Sequence, residues 1–279
     1  MPSNNWLHKL PIQPVDRAFP VSGGDINKTF ALESRGRRYF LKVHKHVPGN
    51  FFTGEMTGLK RLREAVRTPR VIASGQISDK DFLILEWIPA AGSRNDQMLG
   101  QAVARVHKIT SPAFGFDEDN YAGQLPQYNH WEKDWATFYL KWRLFPQIEI
   151  AKKRGYWNMY RQRKFEKLAA AIQKTCQKSQ VIPSLLHGDL WSGNVLFSEG
   201  GEPVLIDPAV FYGNREMDIA MTRLFGGFGT DFYQTYNDVF PLDPGWEERI
   251  SWYQLYYLLC HLNMFGEGYG ASVDRALES

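Results

Sequence analysis

Between Leu186 and Leu196 the chain reads LHGDLWSGNVL, which places one carboxylate, Asp189, five residues before a carboxamide, Asn194. A second carboxylate, Asp207, follows the next apolar run, Val204 to Ile206. Together these side chains offer a base for an alcohol and two oxygen ligands for a hard divalent cation. Mg2+ prefers oxygen donors and commonly takes only one or two carboxylates from a protein. That set is what phosphoryl transfer needs: a hydroxyl aimed in line at the γ-phosphate, and metal to neutralise the phosphate oxygens. Asp189 is therefore the candidate catalytic base, and Asn194 and Asp207 are the candidate metal ligands. Asp189 and Asn194 alone would also suit the capping of turns in an ordinary loop. Asp207 at the end of the following strand weighs against that plainer reading.

The spacing His187-x-Asp189-Leu190-x-x-x-Asn194 is that of a kinase catalytic loop, and the upstream half of the chain supplies matching parts. Lys42 interrupts the apolar strand Phe40-Leu41-Lys42-Val43, where alternation puts it opposite Leu41 and Val43. A lysine there needs an anion, either the α/β-phosphates of ATP or Glu55. Glu55 shares a helix face with Leu59 and Leu62, and a carboxylate beside a core-facing stripe is costly unless paired. The turn Ser22-Gly23-Gly24-Asp25-Ile26-Asn27 would lay backbone N–H groups over the nucleotide. It is not GxGxxG, and alone it is weak. Glu86-Trp87-Ile88 ends an apolar strand just before a linker and would form the hinge. There the Glu86 carbonyl and Ile88 N–H would meet adenine.

The elements that must hold these groups change character along the chain. The first 90 residues read as strands, at 38–44, 70–73 and 82–88, with one helix from Phe52 to Val66. Pro89 to Gly92 is a linker. Thereafter helices dominate: Met98 to Val106, a long aromatic-rich helix carrying Trp131, Trp135, Phe138, Trp142 and Phe145, and another around Phe165 to Ile172. Short strands flank the catalytic segment, and the remainder from Met217 is helical apart from Phe225 to Gly229. This order predicts an α+β, two-lobed, protein-kinase-like fold. The β-rich N-lobe is expected over 1–91, and the larger helical C-lobe over 92–279.

Composition narrows the function classes. Apolar residues at 43% and aromatics at 14% mean a globular chain. A net charge of +3 gives no case for nucleic acid. No run reaches the roughly 20 apolar residues that span a bilayer, and Met1 to Val21 has no signal-peptide core. The two cysteines, Cys176 and Cys260, do not suggest a disulfide framework. A reducing cytoplasm and a monomer are the expectation.

With these pieces assembled, the chain resembles the fructosamine kinase (ketosamine-3-kinase) family, relatives of the aminoglycoside and choline kinases. The resemblance runs from about Val21 to Gly270. It rests on Trp191-Ser192-Gly193 inside the catalytic loop, on Tyr212-Gly213 with Arg215-Glu216, on Asp218-Ile219-Ala220 and Leu224 to Phe228, and on Asn263-Met264-Phe265-Gly266. It implies ATP- and Mg2+-dependent phosphorylation of the sugar 3-hydroxyl of ketosamines, free or protein-bound. The 3-phosphate then destabilises the adduct and the amine is released. On this likeness Asp189 is the base, Asn194 and Asp207 hold Mg2+, and Lys42 with Glu55 orders the phosphates. Trp191 forms a flat wall against the sugar, and Asp218 hydrogen-bonds the catalytic-loop backbone; a first-turn Asp favoured by the helix dipole is the plainer reading of Asp218. Family members often carry Cys after the paired glycines. Asp25 stands there instead, so thiol control at that position does not carry over.

Other residues fit plainer roles. The Trp/Phe stripe reads as core, although its far end, with Arg143, could contact substrate. His107 and His261 read as satisfied helix histidines, and Lys152-Lys153-Arg154 as solvated surface. The competing functions are a choline, homoserine or aminoglycoside kinase of the same fold, or a nucleotide-binding module without catalysis. Against the second stands the complete set Lys42, Glu55, Asp189, Asn194 and Asp207. A protein kinase is disfavoured because little chain separates Asp207 from Tyr212 and no APE-like element follows.

Overall fold

Five strands of the N-terminal third pair into one antiparallel sheet in the order β1-β2-β3-β5-β4: β1 (Arg17–Pro20), β2 (Lys28–Ser34), β3 (Arg37–Lys45), β4 (Val71–Ile77) and β5 (Lys80–Glu86). The structure, a computed structural model, describes residues 6–21, 27–90, 92–178 and 180–278. Of the expected phosphate turn, Ser22, Gly23, Gly24, Asp25 and Ile26 lie outside the described residues. The sheet buries both faces. Leu32, Leu41, Val43 and Ile84 pack on Leu7 and Leu10 from the N-terminal segment. On the other face, Leu83 and Leu85 pack on Phe52 and on Leu59 of helix α1 (Thr53–Leu62). Lys42 sits on that second face in the central strand, between Thr29 of β2 and Leu83 of β5, and is only 3% exposed. Helix α1 stops at Leu62 rather than Val66, and β4 runs on to Ile77 beyond the expected 73.

After β5 the chain crosses to the helices, and Gly92 N–H donates to the Phe197 carbonyl at 3.2 Å. A Cβ at Gly92 would stand 1.7 Å from the Ser198 oxygen, so the crossing requires glycine. Helix α2 (Asp96–His107) follows, capped by Asn95 accepting from the Met98 N–H. Next comes a small hairpin, β6 (Asn120–Ala122) and β7 (Leu125–Gln127).

The expected aromatic helix from Trp131 begins four residues later. Asp134 caps it by accepting from the Thr137 N–H at 2.7 Å. It runs as α3 (Trp135–Phe138), a π-helical segment Tyr139–Leu144, and α4 (Phe145–Lys153). Trp131 lies outside it, 44% exposed. The wider π turn rotates the aromatic stripe, which carries Phe145 out to 47% exposure while Trp135, Phe138 and Tyr139 stay in the core.

Helix α5 (Met159–Cys176) leads into two antiparallel strand pairs. In the first, β8 (Ser184–Leu186) pairs with β11 (Phe211–Gly213); in the second, β9 (Val195–Phe197) pairs with β10 (Pro203–Leu205). The helices α6 (Glu216–Leu224), α7 (Thr230–Val239), α8 (Trp246–Phe265) and α9 (Gly270–Glu278) complete the chain. Helix α8 is apolar almost all round and runs through the middle of the helical core. Among the described residues, no helix is long and apolar enough to cross a membrane.

Candidate active site

The two strand pairs bring the distant carboxylates together. The loop between β8 and β9 carries Asp189 and Asn194, and the loop between β10 and β11 carries Asp207. Because β8 pairs with β11 and β9 with β10, the two loops face each other. Ile206 N–H donates to the Asn194 carbonyl at 3.1 Å and Ala209 N–H to the His187 carbonyl at 2.9 Å. His187 is buried and tied at both ring nitrogens: Nε2–H donates to the Ile206 carbonyl at 2.9 Å, and Nδ1 accepts from the Asp189 N–H at 3.2 Å. Burial holds it below its ordinary pKa, so it serves as a neutral brace. Gly188 adopts φ +83°, and a Cβ there would stand 2.0 Å from the Ala209 oxygen. Only glycine fits between the loops.

Asp218, from the first turn of α6, is fully buried and accepts from the His187 N–H at 2.7 Å and the Gly188 N–H at 3.0 Å. His107 Nε2 lies 3.1 Å from the same carboxylate, and its Nδ1 lies 2.8 Å from the Tyr236 hydroxyl. Both histidines that the sequence suggested as structural therefore have partners; His261 Nδ1–H donates to the Tyr257 carbonyl at 2.8 Å.

Lys42, Glu55 and Asp207 meet at one point. Lys42 Nζ is 2.8 Å from Glu55 Oε2 and 3.0 Å from Asp207 Oδ1. Burial alone would drive the ammonium to lose its proton, but Asp207 and Glu55 together outweigh it and hold Lys42 above its ordinary pKa. The same burial raises Glu55 above the ordinary carboxylate range, with Lys42 opposing the shift and the nearby Asp207 charge adding to it. Its Oε1 is buried without a hydrogen-bond partner. Asp207 adopts φ +54°, a left-handed conformation that is uncommon outside glycine, asparagine and aspartate.

Asn194 Nδ2 donates to both the carbonyl and the Oδ2 of Asp189, at 2.9 Å each. That leaves its Oδ1 to act as an oxygen donor. Desolvation pushes the Asp189 carboxyl up to about 7, partly offset by the Asn194 bond and reinforced by Asp207.

These groups line one end of a cavity of about 470 Å³ between the sheet and the helices. The other end is aromatic: Trp191, Phe225, His261, Phe265 and Tyr269 line it. Trp191 is 38% exposed and meets Phe225 edge-on, with centroids 6.4 Å apart. The indole lies over Gly193, where a Cβ would stand 2.2 Å away. Gly227, in the loop after α6, similarly abuts Ser192. These two contacts give a physical reason for the Trp-Ser-Gly and Leu-Phe-Gly-Gly-Phe runs.

Two sets of candidates lie outside this cavity. Arg143 does not line this cavity: it is fully buried in the helical core. It donates to the Tyr128 and Trp142 carbonyls and to Asn129 Oδ1, and its guanidinium stacks 3.9 Å from the Phe211 centroid. Glu86, Trp87 and Ile88 sit where β5 leaves the sheet. The Glu86 side chain accepts from the Arg70 Nε at 3.2 Å, Arg38 lies 5.2 Å over the Trp87 ring, and Ile88 is buried. None of the three lines the cavity around Asp189. Asn27, the last residue of the expected phosphate turn, lines the cavity, whereas sequence reading missed Tyr121 and most of the α8 contribution. The spacing Tyr257, Cys260, Met264 marks one face of α8 and could have pointed to it.

A sheet lysine paired with a helix glutamate, facing a carboxylate and carboxamide in a strand-flanked loop, defines a phosphotransferase of the protein-kinase-like fold. The chain belongs to the fructosamine kinase family, whose model matches residues 4–279. It is similar to a probable ketoamine kinase of Lactiplantibacillus plantarum, with 50% identity over 99% of this chain and 98% of that one. It is also similar to a chloroplastic protein-ribulosamine 3-kinase of Arabidopsis thaliana, at 37% identity over 92% and 80% of the two chains. The solved structure of a putative fructosamine-3-kinase from Thermobifida fusca superposes with a TM-score of 0.84, at 29% identity over 94% and 92% of the chains.

Proposed function

We propose that this chain transfers the γ-phosphate of ATP to the sugar 3-hydroxyl of ketosamines of the ribulosamine and fructosamine type. One observation carries the reading: Asp189 faces a single cavity with Lys42 and Asp207 on one side and the Trp191 aromatic wall on the other. A sugar ring laid against Trp191 presents its hydroxyls to the Asp189 carboxylate. As the hydroxyl oxygen bonds to phosphorus and the bond to the β-phosphate breaks, Asp189 takes the hydroxyl proton and ADP departs. Lys42, ordered by Glu55, holds the α/β-phosphates. The 22–24 turn would cover the phosphates, and the 86–88 segment would hold adenine.

The oxygen donors fit Mg2+: the Asn194 Oδ1 and the Asp207 carboxylate are hard ligands, few enough to leave most positions to phosphates and water. Bound there, the metal would neutralise charge on the phosphate oxygens. Asn194, anchored by its two donations to Asp189, sets the base and that ligand position in one step.

The ketosamine assignment draws on the relatives named as ketoamine and ribulosamine kinases. Phosphate at the 3-position turns a hydroxyl into a good leaving group, and loss of phosphate followed by hydrolysis frees the amine. Free and protein-bound adducts both reach a cleft open on the Trp191 side. Two lobes, 1–91 and 92–279, a monomer, and a reducing cytoplasm suited to the free thiols Cys176 and Cys260 complete the reading.

The test compares ribulosyl-, erythrulosyl- and fructosyl-amines with choline, homoserine and an aminoglycoside in an ATP-coupled assay. Mass spectrometry and NMR locate the phosphate. The expected product is a ketosamine 3-phosphate; phosphorylation of choline or an aminoglycoside, with none of the ketosamines, would reassign the substrate.

A further inference from the structure

The β6–β7 hairpin touches both halves of the phosphate end, and nothing in the phosphotransfer reading has used it. Asn120 Nδ2 donates to the Val210 carbonyl at 2.9 Å, and Gln127 Nε2 donates to the Ala209 carbonyl at 3.0 Å. Those carbonyls lie two and three residues past Asp207. The two amides are braced against each other: Asn120 Oδ1 accepts from Gln127 Nε2 at 2.7 Å and from Asn129 Nδ2 at 3.1 Å. Both side chains are buried. Arg143 anchors the far end through Asn129 Oδ1 at 2.6 Å.

The same hairpin packs on the helix that carries Glu55. A Cβ at Gly54 would stand 2.5 Å from Asn120 Cβ, and the Phe51 and Tyr121 rings lie 4.6 Å apart. One turn along α1, Gly58 abuts Pro208 and Val210, with a would-be Cβ 3.0 and 3.2 Å away. Arg61 then donates to the Tyr212 hydroxyl at 3.1 and 2.7 Å. Residues 54, 58 and 61 share one helix face, so the small residues let α1 settle directly onto the Pro208–Tyr212 segment. The segment after Asp207 is therefore held on one side by α1 and on the other by the hairpin amides.

We infer that Asn120 and Gln127 are positioning residues: the β6–β7 hairpin clamps the Asp207 loop and the Glu55 helix into one unit, fixing the lysine–carboxylate triad without any ordering event. This rests on the phosphotransferase reading for its catalytic consequence, but not for its structural one. Without the clamp the Asp207 loop and α1 separate, Lys42 loses one of its two carboxylates, and the candidate metal ligand wanders.

Two variants of the full-length protein test this, Gln127→Met, which keeps the volume and removes both donations, and Asn120→Ala. Ile172→Ala, in the core of α5 far from the cleft, serves as a control for loss of stability alone. Hydrogen exchange is followed across 53–62 and 207–213, and kcat is measured against Mg2+ concentration. The clamp predicts that exchange in both segments quickens together, by about tenfold or more, in Gln127→Met. It also predicts that kcat falls by about tenfold and that half-saturating Mg2+ rises several-fold, while the control moves neither reading. If folded Gln127→Met keeps the parent's exchange in these segments, or its kcat and Mg2+ requirement, the clamp is wrong. If instead the parent transfers phosphate to no acceptor, the functional reading fails, and the exchange data still decide the clamp. Should Gln127→Met not fold, Asn120→Ala gives the same readings.

Discussion

The two ends of the cleft are built on opposite principles. At the phosphate end, Lys42, Glu55, Asp189 and Asp207 crowd together, three carboxylates to one ammonium. At the acceptor end the wall is Trp191, Phe225, Phe265 and Tyr269, with a His261 that burial holds below its ordinary pKa. Among the described residues, the charged lining is confined to the first end. Buried charge survives only when paired, because removing one partner of such a pair costs about 3–5 kcal/mol. The phosphate end is thus an incomplete ion cluster with excess negative charge, which the proposed Mg2+–nucleotide would complete. The acceptor end offers flat apolar faces, on which the C–H faces of the proposed neutral sugar ring would stack.

This contrast is sharpest at Asp189, and so is the way to break it. Asp189→Asn should lower kcat by about 10³-fold, within the 10²–10⁴ range of a general base, while calorimetry still detects nucleotide binding. A loss under tenfold, less than about 1.4 kcal/mol of barrier, would remove Asp189 from that role. The parent itself carries a pH signature. A base acts only when ionised, so with a carboxyl raised to about 7, kcat/KM should climb as pH rises through 7 and then level off. Stability runs the opposite way. Because the folded state holds this proton more tightly than the unfolded chain, the contribution is full below about pH 4 and is lost as pH rises through 7. Asp189→Asn should therefore gain Tm over the parent progressively across that window. An unchanged Tm difference from pH 4 to 8 would mean the carboxyl titrates normally.

A smaller effect is expected at the aromatic end. Trp191→Ala should raise the acceptor KM by about tenfold, the size of one lost stacking face at 1–2 kcal/mol, and leave the ATP KM within twofold. A rise in the ATP KM alone would move the acceptor elsewhere. The smallest effect on KM belongs to Arg143. Arg143→Met should leave both KM values within about twofold but lower Tm by several degrees, because Asn129 and two carbonyls lose their donors. If the acceptor KM rose tenfold with Tm unchanged, the buried arginine would be reaching substrate after all.

Arg143 and Lys42 also show how far sequence reasoning reaches. Both are lysine or arginine side chains beside apolar residues. For Lys42, strand alternation and a helix glutamate with matching periodicity located the partner before any coordinates, and the structure places them 2.8 Å apart. For Arg143 the partners are two carbonyls, one amide oxygen and three aromatic faces. None of these leaves a mark at a fixed spacing, so the side chain was assigned to the cleft when it belongs to the core. The Trp131 helix failed for a related reason: its start depends on Asp134 reaching the Thr137 N–H, and an aromatic run looks helical whether or not the first turn forms.

The sequence by itself determined the chemistry of the phosphate end. Buried charge tolerates so few arrangements that the residue types and intervals of Lys42, Glu55, Asp189, Asn194 and Asp207 already specify who must meet whom. Tertiary structure decided the acceptor wall and the clamp behind Asp207. An aromatic ring or a buried amide is satisfied by whatever surface or carbonyl the fold brings within reach, and that reach is set by packing between α1, the hairpin and α8, segments far apart in the chain.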